Sequence, residues 1–190
     1  MPTLSKSKII AFRQCPKRLW LEVHRPELRQ DSPATQASFQ VGCQVGDIAR
    51  RIYDPDEVGV CFDVTKEGFP AAFEQSARLL AEEARPVFEA GFKSAKTIAF
   101  ADVMIPVVEA ECRSWKMVEV KSSTGVKDYH RDDVAVQSFL ARAMGVNLSS
   151  VRRRERRGHG RERFCGGNRQ ENIRRAKRGA QGIIVRVLQA

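Results

Sequence analysis

Histidine is scarce, at 3 in 190 residues, and His130 has no second His or Cys at ligand spacing, so an imidazole-bound metal centre is not expected. No run of 18 apolar residues occurs, which speaks against a membrane-spanning helix. Lys6 and Lys8 lead into only a brief apolar stretch, unlike a secretory signal, so the expected location is the cytoplasm, with no membrane partner. The 5 cysteines are odd in number and lack framework spacing, which argues against a disulfide-stapled secreted fold. Net charge is absent from most of the chain. Met1–Ser150 carries 20 Lys and Arg against 20 Asp and Glu, whereas Val151–Ala190 carries 13 against 3, so the whole formal charge of +10 comes from the last 40 residues.

What the chain does hold is concentrated between Phe100 and Gln137. Ala99–Pro106 and Trp115–Ser122 are rich in Val, Ile, Phe and Trp with polar residues at alternate positions, the pattern of half-buried strands. If they pair as an antiparallel hairpin about a loop in Val107–Ser114, Asp102 on the first strand lies opposite Glu119 on the second. Strand alternation places Glu119 and Lys121 on one face and sends Val118 and Val120 to the other. Two ionised carboxylates side by side repel, so the pair calls for a proton or a cation between them. Mg²⁺ suits such a site, since it takes one or two carboxylates, keeps waters and binds phosphate oxygens. Lys121 would then orient or deprotonate a water and stabilise charge on a phosphate.

Asp102, 16 intervening residues, then Glu119-Val120-Lys121 resembles the PD-(D/E)XK nuclease superfamily. Ser122-Ser123 after the lysine and Gln137 about 14 residues further on resemble its RecB-type branch, which includes the CRISPR adaptation exonucleases. The opening Leu4-Ser5-Lys6-Ser7, leading into Phe12-Arg-Gln-Cys15-Pro16, is similar to the start of that branch. The resemblance implies an α/β, restriction-endonuclease-like fold over residues 1–150: a small mixed sheet from Val87 to Ser122, flanked by the N-terminal helices and by a helix over Asp132–Met144. It implies a Mg²⁺-dependent DNA nuclease, with Mn²⁺ as substitute, or a fragment of one. Asp102 and Glu119 would hold the metal with the Val120 carbonyl as an extra ligand, Lys121 would position the water, and Gln137 would orient Lys121 or a phosphate. Lys127, Tyr129 and Arg131, read as a loop, would bind phosphates and stack on a base, against the plainer reading of an ordinary charged loop.

The chain departs from that pattern in three places. Ala141 stands where the branch has the Tyr of Gln-x-x-x-Tyr, and Gly46 where it has a metal-binding His. Cys15 matches the first ligand of the iron–sulfur cluster that some members carry, but only Cys165 lies beyond Ser150, so an iron–sulfur cluster is not expected and Cys15 reads as a small buried thiol. The missing His and Tyr support a competing reading, a nucleic-acid-binding module that keeps the fold without cutting, and the intact Asp102, Glu119 and Lys121 argue against it. A third has Asp102 and Glu119 as surface residues of an unrelated α/β domain.

Elsewhere the periodicity predicts a helix over Leu4–Glu22 interrupted at Pro16, with Ile9, Phe12, Leu19 and Trp20 inward. A second helix is predicted over Thr35–Tyr53, burying Phe39, Cys43, Ile48, Ala49 and Ile52; Gly42 and Gly46 on it suit tight packing or a close approach to a DNA backbone. A short strand is predicted over Val58–Val64, a scaffold helix over Phe69–Arg85 with Phe69, Ala72, Phe73, Ala77 and Leu80 inward, a strand over Val87–Phe92, and another beginning at Val146. Glu89 reads either as a further acid of the site or as a solvated strand residue. The helix after Asp132–Asp133 should bury Val136, Phe139, Leu140, Ala143 and Met144 and end at Gly145. The tail Val151–Ala190 has no apolar period in its Arg-rich part and is expected not to pack. It reads as a basic arm binding nucleic acid without sequence preference, or as the product of a shifted reading frame.

Overall fold

The computed structural model describes residues 3–109, 112–123, 126–149 and 185–189, the last five by their backbone alone. The alternating apolar runs form three long strands, β3 (Val87–Ser94), β4 (Thr97–Glu109) and β5 (Cys112–Ser122), in antiparallel succession. The β4–β5 ladder runs from Glu109↔Cys112 to Val103↔Val118, and the next step of that register sets Asp102 across from Glu119. The hairpin is longer than its composition suggests, since Val107–Ser114 pairs rather than loops. Two short strands, β1 (Leu4–Ser5) and β2 (Val60–Cys61), run parallel to β4 and β3, and β6 (Val185–Gln189) runs antiparallel along β5. The sheet is therefore mixed, in the order β2-β3-β4-β5-β6 with β1 joined to β4.

Helices flank this sheet, giving the expected α/β architecture: α1 (Lys6–Gln14), α2 (Pro16–His24), α3 (Pro33–Tyr53), α4 (Val64–Glu67), α5 (Phe69–Glu82) and α6 (Asp128–Ala143). The larger core packs α5 and α6 on one face through Leu79, Leu80, Phe92, Met104, Trp115, Met117 and Leu140. A smaller one packs α3 on the other through Val45, Ala49, Phe88, Val103, Val118 and Val120. Pro16 restarts the first helix as α2 after a break at extended Cys15, because Pro has no N–H to donate but fits the first turn.

Several expected inward residues lie outside. Phe12, Trp20, Phe39, Phe69 and Phe139 are each more than half exposed, Ala77 and Ala143 are exposed, and Cys43 is exposed, as is Cys15, which is not the buried thiol expected. On α6 the reason is angular. Polar Asp133, Gln137 and Ser138 share the buried side with Leu140 and Ala141, and Phe139 lies about 200° around the helix from Gln137. That helix also begins at Asp128, one turn before the expected start. Val146 onward gives a single bridge, Leu148 to Trp115, in place of a strand. The reading of Val151–Ala190 lies outside the described residues up to 184, but Val185–Gln189 forms β6, so the end of the tail does pair with the sheet.

Beyond Phe88 the outer edge of β3 is covered by α5. Gly91 N donates to Ser76 Oγ at 2.8 Å, and the stacked rings of Phe73 and Phe100, 5.4 Å between centroids, lie over Gly91. A Cβ there would sit 2.8 Å from carbon atoms of both rings. Gly91→Ala is therefore expected to cost about 1–3 kcal/mol by overpacking, read from the urea midpoint at unchanged slope.

Candidate active site

The site lies where β4 and β5 part. Their ladder stops at Val103↔Val118, while β4 continues back to Thr97 with β1 beside Thr97 and Ile98. In the wedge between β1 and β5 the backbone of β5 lacks a strand partner on the β4 side, and Val120 N donates instead to Asp102 Oδ2 at 2.7 Å. The β3–β4 ladder also skips a step here, passing from Phe88↔Val103 to Ala90↔Ala101 without pairing Glu89 and Asp102. Glu89 sits at φ +54, a left-handed conformation uncommon for a residue with a Cβ. Phe88 and Ala90, two apart, consequently belong to opposite cores, and so do Ala101 and Val103. Strain of this kind persists only where the surroundings hold it and gathers at functional sites.

Glu119 is only 1% exposed, yet both of its carboxylate oxygens accept from protein donors. Its Oε1 accepts from Lys121 Nζ at 2.6 Å and from Lys6 Nζ at 3.1 Å, and its Oε2 from Gln137 Nε2 at 2.6 Å. Burial alone would raise its pKa, but the two ammonium groups and these hydrogen bonds bring it below the ordinary value. Lys121 also reaches Asp133 Oδ2 at 3.1 Å; despite burial, the charges of Glu119 and Asp133 hold its pKa above the usual lysine value. Asp102 goes the other way. Desolvation first, then the charge of Glu119, pushes it up to about 7, against Lys6 and the Val120 N–H. Glu89, reached by water from the cleft but surrounded on most sides by protein, is raised by burial and by Glu119.

Glu89, Asp102 and Lys121 line one side of a cleft of about 530 Å³ whose other wall is α3, with Gly42, Gly46 and Arg50. A Cβ at Gly42 or Gly46 would meet nothing within 4 Å, so these glycines face open cleft and not a packed neighbour. Arg50 is held by Asp47 and by Cys61 Sγ at 2.8 Å.

Of the two roles the resemblance implied for Gln137, orienting Lys121 or a phosphate, the first is corrected: its Nε2 donates to Glu119. Lys127, Tyr129 and Arg131 lie at the cap and first turn of α6 and not on a loop. The Lys127 ammonium is 5.6 Å from the centroid of the Tyr129 ring, and Arg131 pairs loosely with Asp128 at 3.9 Å. His130 Nδ1 accepts from Lys127 N at 3.2 Å, so this imidazole serves the helix start. Two residues of the site escaped sequence reasoning. Lys6, the first residue of α1, is brought to Glu119 by the preceding β1, two residues long and too short for periodicity to reveal, whereas Asp133 was legible in principle, four residues before Gln137 on one helical face.

Among the described residues no group of three or more His, Cys, Asp or Glu side chains is set as a metal cage. The donor set nevertheless suits a hard cation. Glu89, Asp102 and Glu119 offer only oxygen, and burial first, then the charge of Glu119, favours a proton on Asp102 that a cation would replace. Gln137 Oε1, buried and accepting no hydrogen bond, would suit a water carried in by such an ion.

No family model, no curated protein and no solved structure matches this chain. No helix among the described residues is long and apolar enough to cross a membrane.

The Asp102 shift has a signed consequence. Its pKa is 3.8 ordinarily and about 7 in the fold, so the folded protein binds the proton more tightly, and the stabilisation this gives is lost as pH rises from about 4 to 7. With chelator present, the wild type should lose up to a few kcal/mol relative to Asp102→Asn over that range in denaturant titrations. A difference that does not change with pH would contradict the assignment.

Proposed function

We propose that the chain is a metal-dependent DNA nuclease of the RecB type within the PD-(D/E)XK superfamily, or a fragment of one. The observation that carries this reading is the meeting of Asp102, Glu119 and Lys121 in the wedge between β1 and β5, with Gln137 hydrogen-bonded to Glu119. Asp102 and Glu119 would hold Mg²⁺ or Mn²⁺, with the Val120 carbonyl and Glu89 as further oxygen donors. When bound, the metal supplies a Lewis acid for a phosphate oxygen and lowers the pKa of its water.

The chain's own residues then have separate tasks. Lys121 stays charged between Glu119 and Asp133, which suits orienting a water and stabilising negative charge at the phosphate, not abstracting a proton. Asp133 limits where the Lys121 ammonium can go, and Gln137 limits the rotation of Glu119. The open wall at Gly42 and Gly46 leaves width for a nucleic-acid backbone beside Asp102 and Lys121. Lys127, Tyr129 and Arg131, exposed at the start of α6, are assigned to phosphate and base contacts outside the cleft.

One observation favours a second reading, a binding module that does not cut: all the donors on Glu119 are protein groups, two ammoniums and an amide. Cleavage of single- and double-stranded DNA with Mg²⁺ or Mn²⁺ separates the two. The nuclease reading expects metal-dependent cutting that falls at least about a hundredfold in Glu119→Ala and in Lys121→Ala, the usual size for a group stabilising transition-state charge. Binding without cutting, equal in wild type and both variants, would establish the non-cleaving module.

A further inference from the structure

Lys6 is not among the residues that the nuclease reading assigns, yet its ammonium contacts Glu119 directly. Its ammonium shares Oε1 with Lys121, and two cations on one carboxylate oxygen are more than charge balance at Glu119 requires. Part of the excess is matched by Asp133 on Lys121, and Lys6 also acts through space on Asp102 and Glu89. Lys6 thus supplies positive charge to the same cluster of oxygens that would take a divalent ion.

The three donors on Glu119 are not equally anchored. Gln137 is fully buried on α6 and has no room to withdraw. Lys121 has a second carboxylate, Asp133, to hold it. Lys6 makes the longest of the three contacts and has no second carboxylate partner among the described residues. It is also the first residue of α1, where the positive end of the helix disfavours a cation and no acidic residue stands in the first turn.

Resting on the nuclease reading, we infer that Lys6 is the resident counter-cation of the acid cluster and competes with the divalent metal for Glu119. Metal entry displaces the Lys6 ammonium from Oε1 while Lys121 and Gln137 stay in place. Lys6 is a positioning residue on this account. It keeps Glu119 paired and aimed when no metal is bound, and it lowers the affinity at which metal is taken up.

The test is calorimetric titration of Mn²⁺ into the full chain, without nucleic acid, for the wild type, Lys6→Met and Lys6→Arg. Lys6→Met should bind Mn²⁺ about tenfold tighter, the effect of removing one partly buried competing charge. It should also melt lower than the wild type in chelator and regain the difference on adding Mn²⁺. Lys6→Arg, whose guanidinium holds a carboxylate through two donors, should bind Mn²⁺ several-fold more weakly than the wild type; this arm decides the matter if Lys6→Met does not fold. Equal affinity in wild type and both variants, or weaker binding in Lys6→Met, overturns the inference and leaves the nuclease reading standing. Absence of Mn²⁺ binding in all three overturns both.

Discussion

The structure turns on one buried carboxylate. Taking an ion such as Glu119 out of water costs several kcal/mol, recovered only when the ion is paired and hydrogen-bonded with good geometry. Its three partners come from three separate parts of the chain: Lys6 from the start of α1, Lys121 from β5 itself and Gln137 from the third turn of α6. The docking of β1 on β4, which fixes where α1 begins, and the packing of α6 on the sheet both serve that requirement. Removing one partner would leave an under-compensated buried charge, so these elements depend on Glu119 as much as it depends on them.

A regular sheet could not display the site. Side chains on a flat ladder alternate, and the backbone groups between them are consumed by pairing. Here the β4–β5 ladder ends one step before Asp102 and Glu119, the β3–β4 ladder skips Glu89 and Asp102, and Glu89 takes a left-handed conformation. Together these departures bring Glu89 and Asp102 to one cleft within electrostatic reach of Glu119 and free the Val120 N–H to hold Asp102. The electrostatic outcome is asymmetric. Glu119 is kept ionised by its cations while Asp102, desolvated and beside that charge, retains a proton near neutrality, which is the poise expected of a place built for a cation.

Much of this was legible in residue order. The alternation in Ala99–Pro106 and Trp115–Ser122 specified β4, β5 and their register, because a slip of one residue would turn Met104 and Met117 out of the core. Asp102, Glu119, Lys121 and Gln137 were identifiable as one group for the same reason. The rest depends on long-range packing that periodicity does not encode. Lys6 reaches Glu119 across more than a hundred positions through a two-residue strand. Phe139 looked like core, but α6 spends its inner face on Asp133, Gln137 and Ser138, so the aromatic ring is displaced outward. Gly42 and Gly46 suited either packing or a cleft equally well, and only the position of α3 over the sheet decided it.

The central claim, that Asp102 and Glu119 form a cation site held ready by lysines, is tested most directly by anomalous X-ray diffraction from crystals of the full chain equilibrated with Mn²⁺. The account predicts an anomalous peak within about 2.5 Å of a carboxylate oxygen of each residue, with Lys121 still on Asp133 and Lys6 withdrawn from Glu119. Crystals that take up Mn²⁺ elsewhere, with Lys6, Lys121 and Gln137 still closed on Glu119, would contradict it.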